Sequence, residues 1–90
     1  MAVYPDYVAI FGGMKPQQVR DYMRNLAHGN AACKSAIEYA IRKVSRESRR
    51  LWAFRDMVQD PAMLAWTIGG FANAHLAKIG SSHYINVITE

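Results

Sequence analysis

Residues 31–59 read AACKSAIEYAIRKVSRESRRLWAFRDMVQ, a run with neither proline nor glycine. At about 100° per residue, Cys33, Ile37, Ala40, Val44, Ser48, Leu51 and Val58 fall on one helical face, with Trp52 at its margin. The run therefore predicts one long amphipathic helix. At ~1.5 Å per residue such a helix extends about 43 Å. A chain of 90 residues packs to a radius of gyration of about 12 Å, a body roughly 30 Å across. The helix must project, bend or break. Ser45 and Ser48 mark the expected place, because short hydroxyl side chains compete for backbone hydrogen bonds and Ser48 interrupts the apolar stripe. A helix that stays whole is best covered by a second copy of the chain, so a homodimer is expected.

On either side of this run the punctuation is clear. Upstream, Pro16 suits a first helical position, and Val19, Tyr22, Met23 and Leu26 repeat at the spacing of a buried face, predicting a helix over 16–27. Gly29 can take a left-handed C-terminal conformation and Asn30 can cap the helix that follows. Downstream, Asp60-Pro61 predicts a new start, with Asp60 as N-cap and Pro61 at the first position. That third helix should run to about residue 79 and stop at Gly80. Its main stripe is Leu64, Ile68, Phe71, His75 and Ile79, with Met63, Trp66, Ala74 and Ala77 on the other side, so it reads as centrally buried. Gly69, Gly70, Ala72 and Ala74 would allow close approach of a neighbour, at about 1 kcal/mol of helix propensity for each glycine.

The termini are two-sided. Residues 7–11 (YVAIF) and 84–88 (YINVI) have strand composition and could pair as short strands. Pro5-Asp6 could equally open a short helix that Gly12-Gly13 ends, which is the preferred reading for the first segment. The second is expected to be extended or disordered. The fold class expected is thus all-α: one domain over 1–90, a small bundle of three main helices with a long or bent second helix and possible short strands at the ends.

Charge is distributed unevenly. Residues 42–50 carry five of the eleven Lys and Arg residues and one acid, Glu47; the other six bases are balanced by six acids, so the whole net charge of +4 sits in this stretch. Arg42, Lys43, Arg46, Arg49 and Arg50 fall within an arc of about 120° nearly opposite the apolar stripe. Guanidinium groups spaced along a helix can meet successive phosphates, with bidentate bonds that lysine lacks. A solvated helix face has the same general look, and Glu38–Arg42 and Glu47–Arg50 pairs within the helix would offset part of the charge. Gly29 is followed by polar Asn30, and the bases lie far from the start of their helix. Recognition of backbone or shape therefore fits better than a helix-turn-helix reader of the DNA major groove.

On an unbroken helix, Arg55 shares the angle of Ile37 and must pair, stack on Trp52 or Trp66, or enter an interface. Arg and Trp are enriched in binding hot spots. His75, within an apolar stripe, reads as a core histidine before a ligand. Cys33 is the only cysteine, so no internal disulfide, metal ladder or nucleophile pair is evident. No phosphate loop or paired acidic motif is present. No cofactor, no metal and no enzymatic activity are expected.

The uncharged run 61–77 contains two glycines, Asn73 and His75, which suits a buried helix better than a membrane span. The first residues lack the basic start of a signal peptide, and a cytoplasmic setting is expected. The leading expectation is a non-enzymatic protein that binds nucleic acid, DNA or RNA, by its phosphates through Arg42, Lys43, Arg46, Arg49 and Arg50. The alternative is a helical protein-interaction module, an adaptor or inhibitor of the kind a virus or phage employs, binding a protein partner through Trp52, Arg55 and Trp66.

Overall fold

The computed structural model describes residues 4–87, which form five helices: α1 (Tyr4–Phe11), α2 (Pro16–Asn25), α3 (Ala31–Arg50), α4 (Trp52–Met57) and α5 (Pro61–Lys78). Helix α5 is the centre, with α1, α2 and α3 all packed against it and α3 its principal neighbour. The fold is all-α, with a radius of gyration of 12.5 Å and extents of 32 × 32 × 24 Å.

The helix starts follow the residues that predict them. Asn30 Oδ1 accepts the Cys33 N–H at 2.9 Å, and Asp60 Oδ1 accepts the Ala62 N–H at 3.0 Å with Pro61 at the first position. Helix α2 opens on Pro16, where Gln18 Oε1 accepts the Lys15 N–H at 2.7 Å. It ends at Asn25, two residues early, in a turn that uses positive φ at His28 (51°) and Gly29 (77°). Gly80, at φ 76°, ends α5.

The long helix breaks, but not at the serines. The Ser48 hydroxyl donates to the Val44 carbonyl at 2.7 Å and so is satisfied inside an uninterrupted α3. The break falls at Leu51, which is extended (φ −123°, ψ 108°). Its N–H still closes α3 on the Glu47 carbonyl, while its carbonyl already accepts the Arg55 N–H and opens α4. Packing accounts for the position: the turn returns Phe54 and Val58 to the core, and the Phe54 ring stacks on Phe71 at 6.4 Å. At 20 residues, α3 spans about 30 Å, matching the body it lies in. The excess length that called for a second copy is gone.

The buried face of α5 also differs from the predicted stripe. Leu64 and Ile68 are buried as expected, but the face continues through Ala65, Gly69, Ala72 and Leu76, while Phe71 and His75 are half-buried and Ile79 is exposed. A helix apolar nearly all round has no polar face to orient it, and the three neighbouring helices settle on its small residues. Gly70 and Ala74 lie outside that contact.

There is no strand among the described residues. Residues 7–11 belong to α1, and residues 84–87 have no regular secondary structure; residue 88 lies outside the described residues. Ile85 and Val87 are buried against the core. The Asn73 side chain supplies the hydrogen bonds that a neighbouring strand would have made.

Candidate nucleic-acid interface

Because α3 is unbroken to Arg50, its basic arc stays on one side. Arg42, Arg46, Arg49 and Arg50 are exposed and Lys43 is half-buried. The predicted Glu38–Arg42 pair does not form. Glu38 faces α2 instead, where it accepts from Arg24 Nε at 2.7 Å; this bond, ahead of the second pairing with Asp21, raises the Arg24 pKa. Glu38 thereby joins two helices and leaves Arg42 without an acidic partner among the described residues.

Among the described residues, Glu47 is the acid that pairs with the arc. It lies toward the edge of the apolar stripe, where its side chain retains 19% of its exposure. Arg50 donates to both of its oxygens, at 3.0 and 3.1 Å, and Arg46 Nε is 4.0 Å away. Two arginines share this single charge, so the face keeps a positive excess. Arg49 and Arg50 also occupy the last turn of α3, where cations favour the helix dipole.

Lys43 turns away from the arginines toward α5. Its Nζ lies 4.9 Å from the centre of the Phe71 ring and 5.9 Å from that of Tyr39. Tyr39 in turn stacks on His75 at 4.5 Å with 26° between the rings. These side chains line an open groove of about 430 Å³ between α3 and α5, whose far edge carries Lys78. The predicted core role of His75 is thus replaced by a place in a groove wall. The residue types alone hold no signal for this, since Tyr39 and Phe71 are adjacent only once the two helices cross.

The residues expected to bind a protein are dispersed over three settings. Trp52 is 74% exposed on α4, next to exposed Leu51. Trp66 packs on Tyr7 of α1 at 5.3 Å. Arg55 is exposed, because the break at Leu51 rotates it off the apolar face, and it lines a second groove with Arg20, Ser45 and Ser48. It needs no buried partner.

Cys33 is buried, and no cluster of His, Cys, Asp and Glu among the described residues is placed to hold a metal ion. No described helix is long and apolar enough to cross a membrane. Neither a protein-family model, nor a curated protein, nor a solved structure matches this chain.

Proposed function

We propose that this domain is a non-enzymatic binding protein that contacts nucleic acid through the phosphate backbone, using the exposed face of α3. The supporting observation is that Arg42, Arg46, Arg49 and Arg50 share one exposed side of an uninterrupted helix, with Lys43 at the edge of that side toward α5, and that among the described residues only the partly buried Glu47 pairs with them. Arginine side chains there displace the counterions condensed on the polyanion, so affinity comes from charge and spacing without base reading. Glu47 holds Arg50 and part of Arg46, which leaves Arg42 and Arg49 as the freest contacts. The working setting proposed is the cytoplasm.

The test is a titration of duplex RNA and duplex DNA over a range of salt. For about four phosphate contacts, the logarithm of affinity should fall with the logarithm of salt with a slope of about −4. Reversing Arg42 and Arg49 together to Glu should abolish retention at low salt while helicity is unchanged. Undiminished retention by the double variant rejects the proposal.

One observation favours a second reading. Leu51, Trp52 and Met57 of the α4 region are all exposed, an apolar surface suited to a protein partner. On this reading Trp52→Ala disrupts a complex that withstands moderate salt, and the Arg42/Arg49 reversals leave it intact.

A further inference from the structure

We propose that the groove between α3 and α5 seats an unpaired nucleobase, so that the domain prefers single-stranded nucleic acid to duplex. This rests on the phosphate-binding reading above and assigns that surface its substrate class. Three observations carry it. First, the groove wall is aromatic: Phe71 carries the Lys43 ammonium over its ring, 4.9 Å from the centroid, and Tyr39 and His75, stacked on each other, line the wall beside it. Second, the groove is lined by two cations, Lys43 and Lys78, and by no acid. A cationic ligand is disfavoured there, and an anion with a flat apolar body is favoured. Third, the groove opens onto the phosphate-binding face. Tyr39, Arg42 and Arg46 follow one another on α3 at spacings of three and four residues, which places them side by side on one helix surface.

A nucleotide of a single strand meets all three conditions. Its base has a π-face for Tyr39 or Phe71, and its phosphate continues along the arginines; such stacking is tolerant of sequence. In a duplex the base faces are already covered by their neighbours, so the groove offers nothing to them. Lys43 is a flexible cation over the ring, and an entering base takes its place while the ammonium swings to a phosphate. The groove volume of about 430 Å³ falls within the ~300–1,000 Å³ common for small-ligand sites.

The experiment compares three fluorescent oligonucleotides of about twelve nucleotides at matched salt: a single strand, an abasic strand with the same phosphates, and the duplex. The single strand should bind about tenfold more tightly than the abasic strand. Tyr39→Leu should bring the two together without weakening duplex binding. Phe71→Leu, which keeps apolar volume against Phe54, should do the same, with circular dichroism verifying the helical content of both variants. Equal binding of the single and abasic strands by the native protein, or a difference that survives in the folded Tyr39→Leu variant, overturns the inference. If the duplex still binds with the expected salt dependence in those cases, the phosphate reading stands and only the groove assignment falls. Failure of all three oligonucleotides to bind rejects both.

Discussion

Asn73 holds Ile85 by both of its backbone groups: the side-chain Oδ1 accepts the Ile85 N–H at 2.6 Å, and Nδ2 donates to the Ile85 carbonyl at 3.0 Å. The carboxamide acts as a one-residue substitute for a neighbouring strand. It lets a segment without regular secondary structure bury Ile85 and Val87 against helices while both peptide groups of Ile85 stay paired. Asn30 adds a second tie, its amide Nδ2 donating to His83 Nε2 at 3.1 Å while its oxygen caps α3.

Asn73→Ala should therefore destabilise the domain by about 1–3 kcal/mol, since two part-buried peptide groups lose their partners. Urea denaturation measures the change. Amide hydrogen exchange should show the Ile85 N–H losing protection before the amides of α3 do. A loss well under this range, with protection at Ile85 unaltered, would show that the segment is held by its apolar side chains alone.

The glycines of α5 lead to the opposite sign. A methyl group at Gly70 meets nothing within 4 Å, and at Gly69 its nearest neighbours are Met23 Cε at 3.6 Å, Tyr7 Oη at 3.9 Å and Val87 Cγ2 at 4.0 Å, all ordinary contacts. Gly70→Ala should raise stability by about 0.5–1 kcal/mol through helix propensity and a less disordered unfolded chain. Thermal unfolding followed by circular dichroism reads this out. A lowered midpoint for Gly70→Ala would mean that the position requires glycine for a reason that steric space does not reveal.

Tyr7 should make stability fall at alkaline pH. Burial raises its phenol pKa above the usual value of 10.0, and Tyr84 raises it further. The folded state thus disfavours the phenolate. The contribution is fully present below the unfolded value near 10 and is lost as pH rises through the folded one. Unfolding free energies measured at about pH 8 and about pH 11 should differ less for Tyr7→Phe than for the native protein. Equal differences would count against Tyr7 as the source.

Much of this architecture is written locally. Asn30 and Asp60 cap because a short side-chain oxygen reaches the free N–H groups of a first turn, and Pro16 and Pro61 begin helices because the missing N–H is not needed there. Gly80 stops α5 by taking positive φ, and Gly29 takes positive φ in the turn that follows α2. Such effects act within about four residues and are legible without a fold. The site was legible to the same extent: the basic arc of α3 follows from helical spacing, and so does the Glu47–Arg50 pair.

The remainder depends on what each element meets. The break at Leu51 follows no local signal; it exists because Phe54 and Val58 gain burial by turning back, Phe54 against Phe71. Glu38 chooses Arg24 over Arg42 because α2 brings a guanidinium to 2.7 Å. The groove of Tyr39, Lys43, Phe71 and His75 unites residues from two helices that are distant in the chain. Helix type, caps and charged faces were determined by the amino-acid sequence itself, through interactions between neighbours a few residues apart. Helix α3's end, the buried side of α5 and the aromatic groove were decided only by tertiary packing, where burial of apolar surface outweighs local preferences of comparable or smaller size.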